Sequence, residues 1–107
     1  MPSFDDREKA FENKYAHDQE LEFKAQVRRN RLLGAWAAEL MGMTGEEVEN
    51  YKKEVVKADF EEVGEEDVFR KIRGDFDARG IEQSDHQIRR HMAEFMEKAR
   101  EQVAKEG

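Results

Sequence analysis

Proline occurs once in the 107 residues, at Pro2, so no later position lacks a backbone donor or carries a locked φ. A chain so free of helix breakers is open to long helices. It contains no β-alternation of useful length and no internal repeat, and glycine and capping residues supply the punctuation. Ser3 with Asp6 is a start signal, and Asp5, Asp6 and Glu8 suit the positive end of a helix dipole. A first helix is therefore predicted from about Asp5 to Met41, stopped by Gly42. Thr44 with Glu47 reads as a capping box opening a second helix, Gly45 to about Phe60, whose apolar positions are Val48, Tyr51, Val55 and Val56. The stretch EEVGEED breaks the chain. A third helix is predicted from Glu65 to Arg79, carrying Val68, Phe69, Ile72 and Phe76 and stopped by Gly80. Ser84 with Gln87 forms another capping box, and a fourth helix follows from Asp85 to about Lys105, with Ile88, Met92, Phe95, Met96, Ala99 and Val103 at helical spacing. Connections this short favour antiparallel neighbours, so the expected fold is all-α, a four-helix bundle. Trp36, among Leu32, Leu33 and Leu40, is expected to be largely buried. Gly34, beside Ala35, Ala37 and Ala38, marks a close helix approach.

The first helix is not uniform along its length. Phe4, Phe11 and Tyr15 fall within roughly 40° of one another on a helical wheel, a stripe much thinner than the apolar face of a core helix. Continued on the same face, it meets Asp18, Glu22, Gln26 and Arg29, all polar. Beyond Leu21 the apolar residues follow other faces, and Leu21 and Phe23 lie roughly 160° apart. A break near His17 to Glu20 divides the chain into an N-terminal arm, residues 1–18, and a bundle, residues 19–107. Free in water, so sparsely apolar an arm is expected to be flexible or frayed, and helical when docked.

Charge narrows the function classes. Charged residues make up 42% of the chain and hydrophobic ones 37%, so a core that uses the whole chain is not expected. The net charge of −7 disfavours a bulk-electrostatic nucleic-acid binder. There are no cysteines, which excludes thiolate chemistry, and no apolar run approaches the roughly 20 residues that span a bilayer, so no direct membrane insertion is expected. The N-terminus is acidic without an apolar signal-peptide core, and the expected location is the cytoplasm. His17, His86 and His91 lack metal-ligand spacing, no glycine pattern forms a phosphate cradle, and no carboxylate pair stands beside a plausible nucleophile; neither a metal site nor an enzyme is expected. Arg28 to Arg31 (RRNR), with Arg89 and Arg90, could bind phosphate or an acidic surface, or could form a solvated face with salt bridges to the acidic second helix. The Phe4/Phe11/Tyr15 ridge is either an extra turn or two of bundle core, or a helix-in-groove ligand. In the second case Arg7, Lys9 and Lys14 with the neighbouring acids set register.

The stretches FDDREKAFENKYAHDQELEFKAQVRRNRLLGAWAAELMG, VVKADFEEVGEEDVFRKIRGDF and SDHQIRRHM resemble the zeta subunit family of alphaproteobacterial F-type ATP synthases, a family of ATPase inhibitors. The resemblance implies a four-helix bundle with an N-terminal inhibitory segment that enters a catalytic interface of the synthase head and blocks ATP hydrolysis. On this chain the segment is about Met1 to Asp18, with Phe4, Phe11 and Tyr15 as anchors and Arg7, Lys9 and Lys14 as polar contacts. The implied partner is the catalytic head, and the implied place of action is the cytoplasmic face of the inner membrane. Some relatives bind adenine nucleotides, and a small adenine-nucleotide-binding bundle with a regulatory role is the alternative; no spacing in this chain locates such a site. A basic-patch nucleic-acid binder is the third class.

Overall fold

A computed structural model describes the backbone of residues 4–60 and 66–106, and the side chains of residues 18–60 and 66–106. It contains four helices in chain order: α1 (Phe4–Leu40), α2 (Glu46–Ala58), α3 (Glu66–Arg79) and α4 (Asp85–Glu106). Contacts between consecutive helices run in opposite senses. Asn30 meets Asp59 and Phe23 meets Phe60, Tyr51 meets Asp75, and Glu66 meets Arg89. With α1 also packed on α4, the four helices close into an antiparallel bundle.

The stops follow backbone geometry. Gly42, at φ 77°, allows Met43 N–H to donate to the Ala38 carbonyl at 2.9 Å while its own N–H donates to Glu39 at 3.1 Å. Gly80, at φ 69°, repeats the arrangement, with Ile81 N–H donating to Phe76 at 2.9 Å. Both are Schellman endings, and both swing the next apolar residue, Met43 or Ile81, back onto the core. The start of α4 is a complete capping box: Gln87 N–H donates to Ser84 Oγ at 3.1 Å, and Ser84 N–H to Gln87 Oε1 at 2.8 Å.

The start of α2 differs from the sequence expectation. The N-cap is Gly45, at φ 57°, and no side chain caps the helix. Thr44 contributes its carbonyl, which accepts from Glu47 N–H at 3.2 Å, in place of its hydroxyl. A left-handed glycine turns the chain one residue later than the capping-box pattern assumes.

The main core gathers Leu33, Ala37 and Ala38 of α1, Tyr51 and Val55 of α2, Val68, Phe69, Ile72 and Phe76 of α3, and Ile88 and Met92 of α4. Gly34 belongs to the α1–α2 seam. A Cβ there would stand 3.0 Å from Lys52 Cα, so the close approach read from the small residues is present. Tyr51 is buried, and its hydroxyl donates to Asp75 Oδ2 at 2.8 Å; burial, with this hydrogen bond, holds the phenol in its neutral form. Trp36 is largely buried against the main core, as expected, with a minor part of the ring left exposed. It lies edge-on to Phe76, with ring centroids 5.6 Å apart, and its face stacks on His91 at 4.2 Å. An imidazole that is itself half-buried covers that face, so the indole stays in reach of water.

The two capping patterns should respond differently to mutation. Ser84→Ala removes a made hydrogen bond and should lower unfolding free energy by about 0.5–2 kcal/mol in a denaturant titration. Thr44→Ala removes no capping bond and should shift the midpoint little.

Candidate functional site

The residues singled out in the arm, Phe4, Arg7, Lys9, Phe11, Lys14 and Tyr15, lie outside the residues whose side chains are described. The structure does show the helix they belong to and what holds its base. α1 has 37 residues and α4, the next longest, has 22, or about 55 Å against about 33 Å at 1.5 Å per residue. Leu21 and Ala25 pack with Met96, Ala99 and Val103 in a second, smaller core. Asp18 and Leu21 line one hollow with Val103 and Ala104. Past that point α4 has only Lys105 and Glu106 left, and α2 has ended opposite Phe23. The α1 backbone continues toward Phe4 beyond the ends of both partner helices.

Ion pairs fasten the base of this projection. Arg100 donates to Glu22 through Nη2 at 2.7 Å and Nε at 3.3 Å, and Arg28 makes a two-toothed contact with Glu106. The Arg100 hydrogen bond holds the Glu22 carboxyl below the usual carboxylate range, and Arg28 does the same for Glu106. At the far end of α4, Arg89 holds Glu66 low and lies over the Phe69 ring at 4.0 Å.

The RRNR stretch separates into three environments. Arg28 reaches the C-terminal end of α4. Arg29 is 1% exposed, and its Nε donates to Asn30 Oδ1 at 2.9 Å. Asn30, equally buried, donates from Nδ2 to Asp59 Oδ2 at 2.9 Å, and Arg29 Nη2 stands 3.5 Å from the same oxygen. Arg31 points outward and lines a groove of about 450 Å³ between α1 and α2, with Lys53, Val56, Lys57 and Phe60. The second arginine pair is not part of this region. Arg89 and Arg90 lie near the start of α4 on Glu66 and Glu94, about 25 Å along the helix from Glu106. A single basic patch made of both clusters is therefore not formed.

Two features were not legible in the sequence. The buried Arg29–Asn30–Asp59 network is hidden because arginine and asparagine give no burial signal in an exposed-looking run. The groove lysines are hidden because they are three cations among eleven acids between Glu39 and Asp67. Among the described residues, no group of three or more histidine, aspartate or glutamate side chains could hold a metal ion, and no helix is long and apolar enough to cross a membrane.

Together the fold and this region define an all-helical bundle that extends one helix beyond its own core. The chain belongs to the ATPase inhibitor subunit zeta family, whose profile matches residues 1–102, the N-terminal arm included. It is similar to a protein solved by NMR in solution, with 44% identity over 81% of this chain and 99% of that one and a TM-score of 0.71. Among curated proteins, none matches significantly.

Two predictions follow from the fastening of α1. Asp59→Ala leaves the Arg29 charge buried beside a lost partner and should cost about 3–5 kcal/mol in chemical denaturation. Glu22, Glu66 and Glu106 have folded pKa values below their unfolded ones, so their contribution is complete above the unfolded value, near pH 4.3, and is lost as pH falls through the lower folded values. Thermal midpoints should be flat above about pH 5 and drop below about pH 4, less steeply in the Glu22→Gln/Glu106→Gln variant. These pairs are exposed, so added salt should shrink the difference.

Proposed function

We propose that this chain inhibits ATP hydrolysis by the F-type ATP synthase by inserting its N-terminal segment, about Met1 to Asp18, into a catalytic interface of the synthase head. The observation that carries the proposal is the match of the inhibitor family across the arm, together with an α1 that outruns the helices packed on it. Phe4, Phe11 and Tyr15 are the anchors, and Arg7, Lys9 and Lys14 the polar contacts. The ridge is thin because its groove belongs to another protein.

The action is steric and thermodynamic, without a catalytic step of its own. A helix that fits the interface in one rotational state and not in the others stabilises that state by the difference in its affinities. The bundle holds the base of the helix, so the segment arrives on a fixed stem. The site of action is the cytoplasmic face of the inner membrane, where the head is exposed. The alternative, an adenine-nucleotide-binding bundle, draws its support from the α1–α2 groove, whose Arg31, Lys53 and Lys57 suit phosphate and whose Phe60 suits a base. Calorimetric titration with ATP tests it.

A variant lacking Met1 to Asp18 should melt cooperatively with similar helicity per residue, because both cores lie C-terminal to the cut. It should lose most inhibition of ATP hydrolysis by the isolated head. In the full chain, Phe11→Ala should weaken inhibition by about 2 kcal/mol or more, whereas Glu12→Ala, about 80° off the ridge, should do much less. Equal inhibition by the truncated and full chains would place the inhibitory surface on the bundle.

A further inference from the structure

We propose that the bundle carries a second docking surface for the synthase head, centred on Phe23 and Phe60, which takes an acidic protein surface with an exposed apolar side chain. The proposal rests on the reading of the chain as a head-binding inhibitor. It concerns the bundle and not the arm.

Phe23 of α1 is 51% exposed, and Phe60, just past the end of α2, is 63% exposed. Their ring centroids are 6.1 Å apart, so the two form one aromatic platform across the α1–α2 seam. Phe23, Val27 and Arg31 follow one another at four-residue spacing along a single face of α1. Two hollows share that face: one of about 240 Å³ beside Phe23 and Val27, and the groove of about 450 Å³ beside Phe60, with Arg31 in the lining of both. A nucleotide would occupy one hollow only. A protein surface covers both and the platform between them.

Charge gives the partner its sign. Most arginines of this acidic chain have carboxylate partners: Arg28 on Glu106, Arg29 on Asp59, Arg73 on Asp77 and Asp85, Arg89 on Glu66, Arg90 on Glu94 and Arg100 on Glu22. Around the platform, Arg31, Lys53 and Lys57 are exposed cations with no ion pair among the described residues, and the one carboxylate that lines the groove, Glu49, is paired with Lys52. Exposed aromatics at the centre and unpaired charges at the rim match the anatomy of a protein interface, and the rim selects an acidic counterpart.

Position gives the partner its identity. α1 is one helix from Phe4 to Leu40, and Phe23 lies eight residues beyond Tyr15, about 12 Å along the axis. A head that grips the arm as far as Asp18 brings its outer rim against this platform without any bend in α1.

The test uses the full chain and the isolated synthase head, reading the inhibition constant and the dissociation rate. Phe23→Ala/Phe60→Ala should raise the inhibition constant about tenfold or more, chiefly through faster dissociation. Lys53→Glu/Lys57→Glu should slow association several-fold at low salt, an effect that about 0.5 M salt abolishes. Circular dichroism melts of both variants should match the unmodified protein, since the changed side chains are surface groups. Each pair of changes is also placed in a Phe11→Ala background, where the losses should add. Unchanged inhibition by both groove variants, with Phe11→Ala still impaired, overturns the second surface and leaves the arm mechanism intact. Loss in the groove variants with no loss in Phe11→Ala does the reverse. Unchanged inhibition accompanied by lost ATP binding assigns the groove to a nucleotide. A dimer in sedimentation that the aromatic variant dissociates, with inhibition unchanged, assigns the platform to a second copy of this chain. Each of these last two results overturns the proposal.

Discussion

A guanidinium with 1% exposure sets the register of the helix on which everything else depends. Arg29 sits inside the bundle with Asn30, both directed at the carboxylate of Asp59, the residue that ends α2. Apolar contacts alone tolerate a slide of one helix along another at modest cost. A buried cation does not, because displacement by one turn would separate the charge from its partner in a poorly solvated place. The network therefore fixes how much of α1 lies within the bundle and how much extends past it. The α1–α4 ion pairs, Glu22 with Arg100 and Arg28 with Glu106, lie just outside this lock and steady the same stretch against the other neighbour. The stem of the projecting helix is thus fixed on two sides.

The helical architecture was legible because its signals are local. Glycines at 42 and 80 need the left-handed conformation, Ser84 and Gln87 satisfy each other's backbone donors, and the apolar residues of α3 and α4 repeat at helical spacing. These depend on a few neighbouring residues and survive any tertiary context. The expectation failed at the start of α2, where a local pattern had a backbone competitor. Thr44 carries the right side chain for a cap, yet the positive φ of Gly45 gives the first turn a different entry. Trp36 lies among leucines in sequence and is largely buried as expected, though the rings that cover it, Phe76 and His91, come from α3 and α4 and were not legible.

The candidate site divides in the same way. The change of character along α1 is visible in sequence, because a ridge of three aromatics ends where four polar residues occupy the same face. The groove and the buried arginine are not visible, since both depend on how α1 meets α2. In RRNR, a step of about 100° per residue is enough to send four adjacent side chains to α4, to the interior twice, and to solvent. Composition counts these as one basic cluster, whereas the helix distributes them among three surroundings.

The division of labour proposed between arm and bundle has an energetic reason. A segment of about 18 residues with three aromatics cannot hold a helix in water by its own contacts, because nucleation is unfavourable and the apolar stripe is narrow. If it were stabilised by folding onto its own bundle, that stability would be subtracted from binding, since the contacts would have to be broken first. Projection from a fixed stem avoids the competition. The helix continues from residues already ordered by Leu21, Ala25 and the Arg29 network, so the nucleating turn is supplied by the bundle. Each further turn then adds propagation alone, and the ordering cost on docking is smaller than for a detached peptide of the same sequence. If the segment inserts as proposed, the bundle contributes to inhibition even where it touches nothing, by delivering the segment already aligned with its axis.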